Sequence, residues 1–257
     1  MQASATMLDR IGGWIAAYLS RPIRGFVPLA TYSAAQLRAA LQPGDVLLVE
    51  GNLRISTAIK YLTQSTWSHA ALYVGPRPGR ASSDDPPVLI EAEVGHGVIL
   101  SPLSKYADFH TRICRASGLR GEDRDRIVAF ALSQLGHSYD LKNVFDLARY
   151  LLRTPPVPTP WRRRMLALGS GEPTQAICST LIAQAFQSIG YPILPSRLLV
   201  PCHEPPPDRV EDCVEPVLQT RHFSLFAPRD FDVSPYFTIV KPPPAEDFDY
   251  TQLRWAA

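Results

Sequence analysis

Ile177-Cys178-Ser179-Thr180-Leu181-Ile182-Ala183-Gln184-Ala185-Phe186 sets a cysteine at the head of an amphipathic helical pattern that closes at Gly190. A thiol at a helix start is a nucleophile candidate, because the unpaired N–H groups and partial positive charge there favour thiolate over thiol and hold a developing oxyanion. Upstream, Trp67-Ser68-His69-Ala70-Ala71-Leu72-Tyr73-Val74-Gly75 puts a histidine at the head of a short apolar run that reads as a strand. A cysteine nucleophile needs a base within hydrogen-bond reach, and that base needs an orienting partner. Cys178 and His69 are therefore the candidate pair.

The elements around them follow from pattern and punctuation. Ser33 is placed to cap a helix running through Leu41, Pro43-Gly44 breaks it, and Asp45 to Val49 reads as a buried strand. A helix is expected over Leu53 to Leu62, then strands over His69 to Val74, Val88 to Ala92, Gly97 to Leu100 and Thr111 to Ala116. The apolar positions Ile127, Val128, Ala131, Leu132 and Leu135 give a helix stripe between Glu122 and Leu135, and Asn143 to Leu152 gives another. Strands thus cluster ahead of the later helices, which implies an α+β fold.

Composition narrows the function. The chain has 257 residues, enough for one well-buried domain, and Lys plus Arg exceed Asp plus Glu by only two, so no electrostatic field is available to gather nucleic acid. Nucleic acid is excluded as a partner. Cys114, Cys178, Cys202 and Cys213 are too few for a disulfide framework in a chain this long, which points to a reducing, cytoplasmic setting. Cys202-His203 with Cys213 offers three soft ligands without a CxxC spacing, short of a zinc site, and no metal is expected. Ser179 lacks the Gly-x-Ser-x-Gly setting of a serine nucleophile.

Residues 1–40 form an N-terminal segment in which Met7, Leu8, Ile11, Trp14, Ile15, Tyr18 and Leu19 repeat at helical spacing, followed by Arg21 and Arg24. The apolar stretch is too short to span a bilayer, and the flanks are wrong for a secretory signal. It reads as an amphipathic helix packed on the domain, with a peripheral membrane contact as the other reading. Residues 41–240 form the main domain and 241–257 a tail. Prolines concentrate in Thr154 to Pro160, Pro201 to Pro207 and Lys241 to Pro244, marking loops. Arg162, Arg163 and Arg164 read as a solvated helix face or, alternatively, a cationic lid.

Five segments together resemble a known family. Leu41-Gln42-Pro43-Gly44-Asp45-Val46-Leu47-Leu48 and Ser68-His69-Ala70-Ala71-Leu72-Tyr73-Val74-Gly75 are similar to the second half of an NlpC-type papain-like peptidase, in which a PGD strand precedes the histidine strand. Gly136-His137-Ser138-Tyr139-Asp140, Cys178-Ser179-Thr180-Leu181 and Gly190-Tyr191-Pro192-Ile193-Leu194-Pro195 are similar to its first half. Histidine comes before cysteine here, so the chain resembles the circularly permuted branch that includes YiiX-like proteins and the lecithin retinol acyltransferase group.

The resemblance implies a papain-like antiparallel sheet packed against helices, with the nucleophile at a helix N-terminus. It also implies a catalytic set of Cys178, His69 and Glu91, the last from Val88-Leu89-Ile90-Glu91-Ala92, which resembles an IEA segment of YiiX-like proteins. Glu93 lies two residues on, on the same strand face, and is the rival. Tyr139, from the GxxY element, and Ser179, beside the cysteine, are the candidate substrate-binding residues. The backbone N–H of Cys178 is an oxyanion donor. The insert at about 153–176 departs from the unpermuted pattern and weakens any transfer of peptidoglycan specificity. The expected function is a cysteine hydrolase acting on an acyl, lipid or peptide substrate without metal or organic cofactor. An acyltransferase using the same site, and an inactive lipid- or peptide-binding module, are the alternatives.

Overall fold

The computed structural model describes residues 18, 21–23, 30–77, 85–93, 96–137, 178–203, 213–243 and 249–252. Eight strands are found among them: β1 (Val46–Val49), β2 (His69–Tyr73), β3 (Pro87–Glu93), β4 (Gly97–Pro102), β5 (Thr111–Ala116), β6 (Ser196–Pro201), β7 (Val214–Gln219) and β8 (Phe237–Val240). The helices are α1 (Ala34–Ala40), α2 (Arg54–Thr63), α3 (Gly121–Ser133), α4 (Cys178–Gln187) and α5 (Pro228–Asp232), with a 3-10 turn at Leu103–Tyr106. Six strands form one antiparallel sheet in the order β4-β3-β2-β1-β5-β8, and β6 pairs with β7 as a separate hairpin.

The central strands β1 and β2 are apolar at nearly every position because both faces of the sheet are covered. On one face Val46, Leu48, Ala70, Leu72, Ile90 and Cys114 pack with Ile127 and Ala131 of α3, Leu181, Ile182 and Phe186 of α4, and Phe231 of α5. On the other, Leu47, Val49, Ala71, Tyr73, Leu89 and Ile113 meet Leu37 of α1 and Leu103 and Tyr106 of the 3-10 turn. Aromatic edges lock the first layer: Phe186 lies 5.1 Å from Phe237 and Phe231 5.6 Å from Phe237, both edge-on.

Local chemistry fixes the entry to the sheet. Ser33 caps α1 by accepting from the Gln36 backbone N–H while Gln36 returns the bond, a capping box. Gly44 then adopts φ +90°, which only glycine takes without strain, and turns the chain into β1. Asp45, buried, accepts from the Gln42 backbone at 2.8 Å and from Arg115 of β5 at 2.9 and 2.6 Å, and Arg115 also donates to the Ala40 carbonyl at 2.7 Å. The PGD segment is thus a structural clamp between α1, β1 and β5.

The expected helices at 34–41, 53–62 and 122–135 and the strands through Thr111–Ala116 all form, within a residue or two at their ends. The α+β fold stands. Three strands, β6, β7 and β8, and the short α5 were not expected, because each is short and proline flanks most of them. The expected helix at 143–152, the arginines at 162–164 and most of the N-terminal stripe lie outside the described residues. One cysteine expectation is overturned: Cys202 and Cys213, at the ends of β6 and β7, form a disulfide with Cα atoms 5.4 Å apart. The hairpin brings the two thiols opposite one another, which sequence spacing did not disclose. That pairing removes the cysteine argument for a reducing compartment and engages two of the three soft ligands considered for zinc.

Candidate active site

Cys178 is the first residue of α4, whose apolar stripe Leu181, Ile182, Ala185 and Phe186 is buried against the sheet. That burial holds the helix axis so that its N-terminus faces the start of β2. Cys178 as a residue is 4% exposed. The first backbone N–H groups of a helix lack intrahelical acceptors, which is the chemistry an oxyanion site needs at the head of α4.

His69 opens β2, anchored through Ser68, whose hydroxyl accepts from the Gly51 N–H at 2.9 Å. β2 pairs with β3 through Leu72↔Ile90 and Tyr73↔Leu89, deep in the sheet, while His69 and Glu91 stand toward its end. There the imidazole Nε2 meets Glu91 Oε2 at 2.5 Å, and the Cys178 sulfur is near enough to act on the charge of the ring. With Nε2 committed to a carboxylate, Nδ1 is the nitrogen left for sulfur.

Glu91 is wholly buried and its carboxylate is saturated with donors. Lys105 Nζ donates to Oε1 at 2.6 Å, and the Tyr106 hydroxyl donates to Oε2 beside His69. Lys105 also bonds Glu93 and reaches Ser101 Oγ at 3.4 Å. Glu93, the rival orienting residue, therefore stands on the far side of Lys105 from His69 and additionally faces His96 at 3.5 Å.

The electrostatics follow from these contacts. Burial works against a charged His69, but the Cys178 sulfur and then the bond and charge of Glu91 outweigh it and raise the imidazole from 6.5 to about 10. Burial likewise pushes the Glu91 carboxyl up, yet His69 and Lys105 hold it well below 4.5. Burial and the Glu91 charge drive the Tyr106 hydroxyl well above 10, so it remains a neutral donor. The other free thiol differs: burial and the Asp232 charge push Cys114 upward and outweigh the opposing pull of Arg112, so it is held as the thiol.

The structure thus brings together Cys178, His69 and Glu91. Ser179 is placed otherwise: it is fully buried and its hydroxyl donates to the Phe226 carbonyl at 2.7 Å, tying α4 to the chain ahead of α5. That bond faces it into the fold rather than toward substrate. Tyr139 lies outside the described residues. Lys105 and Tyr106 were missed from sequence, because they sit in a four-residue 3-10 turn with no motif; their only signal was a cationic and a phenolic residue just after β4.

A separate cleft of about 630 Å³, lined by none of the three triad residues, is bounded by Glu50, Lys60, Trp67, His110, Arg112 and Asp232 among others. Its charges are satisfied internally, with Lys60–Glu50 at 2.9 Å, His110–Glu50 at 3.3 Å, Arg112–Asp232 at 2.6 Å and Trp67 Nε1 donating to Asp232 at 2.9 Å.

Residues 40–150 match the family model described as permuted papain-like amidase enzyme, YaeF/YiiX, C92 family. Among solved structures the chain is similar to the metalloprotein YiiX from Escherichia coli O157:H7, at 18% identity and a TM-score of 0.48, covering 79% of this chain and 97% of that one. No curated protein matches the chain.

Proposed function

We propose that this chain, a permuted papain-like YiiX-like protein and an enzyme of the papain-like cysteine amidase type, works through an acyl-cysteine intermediate on Cys178. His69 holds the proton taken from the thiol. The Cys178 sulfur attacks a carbonyl carbon, the backbone N–H at the head of α4 receives the developing oxyanion, and collapse of the tetrahedral intermediate expels the leaving group as His69 returns its proton. Water, activated by the now neutral His69, then releases the acid and restores the thiol. Glu91 keeps the imidazole in the orientation that points Nδ1 at sulfur.

The observation that carries this reading is one imidazole bonded to a fully buried carboxylate and electrostatically paired with the thiol at a helix N-terminus. The substrate class is an amide or peptide, as the family description favours, with a lipid ester as the wider range of the same chemistry. Neither the triad nor this proposed chemistry requires a metal or organic cofactor.

The test is intact-protein mass spectrometry after incubation with a panel of acyl-peptide amides, acyl-amino acids and lipid esters. A mass increase equal to the donor acyl group is expected on wild type and absent from Cys178→Ala. Product release that persists in Cys178→Ala would overturn the reading. Addition of an amine or alcohol acceptor distinguishes hydrolysis from transfer: free acid is expected to remain the product at saturating acceptor.

A further inference from the structure

Glu91 and Glu93 put two carboxylates on one face of β3 next to the imidazole that must release and retake a proton. Two uncompensated negative charges there would hold the proton on His69 too firmly and raise the energy of a negative sulfur. Among the described residues, one lysine lies between them. Lys105 Nζ donates to Glu91 Oε1 at 2.6 Å and to Glu93 Oε1, and its stem runs out of the 3-10 turn to a half-buried ammonium. We propose that Lys105 is a positioning residue that sets the proton balance of the Cys178–His69 pair, by neutralising Glu93 and sharing Glu91 with His69. This rests on the reading of Cys178 as the nucleophile.

The charge count shows why a cation is needed. With sulfur negative and imidazole positive, the two glutamates and Lys105 bring the cluster to one net negative charge; without Lys105 it carries two. Among the described residues, the groups facing the pair are Cys178 from α4, Glu91 and Glu93 from β3, and Lys105 and Tyr106 from the turn, with His96 beside Glu93. Tyr106 is neutral, so Lys105 is the one cation among the described groups that contacts Glu91 besides His69 itself. Its hydrogen bond also fills the oxygen of Glu91 that His69 and Tyr106 leave open, which fixes the carboxylate plane and hence the ring.

The two neighbours make opposite predictions. Removing the cation disfavours a negative sulfur; removing Glu93 favours it. The readout is the rate of Cys178 alkylation by iodoacetamide against pH, resolved by peptide mass spectrometry, with Cys114 as internal reference. Lys105→Met is expected to move the half-maximal pH upward by about one unit, Lys105→Arg to stay near wild type, and Glu93→Gln to move it downward. A purely structural lysine would lower or raise rates at all pH values without moving the midpoint, or would shift both variants the same way. Either result overturns the proposal. His69→Ala separates the two levels: if it moves the midpoint while Lys105→Met does not, only the role of Lys105 fails. If it moves nothing, or Cys178 reacts no faster than Cys114, the nucleophile reading fails and takes this proposal with it.

Discussion

A carboxylate with no exposed surface survives as an anion only if its oxygens are filled, and Glu91 receives His69 and Tyr106 on one oxygen and Lys105 on the other. Hydrogen bonds to a charged group contribute about 1.5–3 kcal/mol each. Tyr106→Phe removes one donor without changing shape, and a loss of about tenfold in kcat/KM is expected, read in steady-state turnover once a substrate is in hand. The same contacts bear on stability. His69 binds its proton more tightly folded than unfolded, from 6.5 to about 10, so its contribution is whole below pH 6.5 and is lost as pH rises through 10. Glu91 runs the other way: its folded value is lowered, so its contribution is present above 4.5 and is lost in acid. Urea midpoints are expected to peak between pH 4.5 and 6.5 and to decline on the alkaline side. His69→Gln is expected to flatten that alkaline decline, and an unchanged slope would contradict the coupling.

Among the elements, the hairpin of β6 and β7 stands apart from the main sheet. One of its faces carries Leu199, Pro201, Val214, Pro216 and Leu218, with Leu199 71% exposed, so little packing supports it. The Cys202–Cys213 bridge, closing a separation of 11 residues, supplies what packing does not, on the order of 2–3 kcal/mol by chain entropy. Cys202→Ser is expected to speed hydrogen exchange across 196–219 while leaving the melting of the six-stranded sheet nearly unchanged. A matching fall in the main transition would show that the hairpin is coupled to the core.

These elements also mark where sequence was readable. β1, β2 and α4 were legible because burial on both faces forces continuous apolar runs and a 3.6-residue stripe. The hairpin was not, since its exposed positions obey no buried period and Pro201 and Pro216 look like loop residues. At the site, the positions of Cys178 and His69 were legible from helix and strand starts, and Glu91 was separable from Glu93 only by resemblance. Their contrasting partners emerge from Lys105, which lies in a turn that no periodicity announces.

For the whole molecule, the sheet is completed late. β8, the last strand among the described residues, pairs with β5 at Ile113↔Val240 through Ala116↔Phe237, and Phe237 joins the aromatic layer under α4. A chain ended after Ser234 loses that edge and the Phe237 ring, whose removal from a core costs about 3–5 kcal/mol. No cooperative thermal transition is expected for it by calorimetry; a wild-type-like melt would show β8 to be dispensable. Proteins of this size are marginally stable, so a deficit of that order is decisive.

The order of the parts along the chain has a consequence in time. His69 and Glu91 lie in the early strands and Cys178 far downstream, with β8 later still. A ribosome adds about 5–20 residues per second and domains fold as units from the N-terminal side. For several seconds of synthesis the nascent chain holds His69 and Glu91 without Cys178, which on the proposed reading is a base and its orienting acid without a nucleophile, and the sheet edge beside α4 follows later still. On the proposed reading, the chemistry therefore waits on the downstream half of the fold, and the order of segments along the chain sets the order in which the site is assembled.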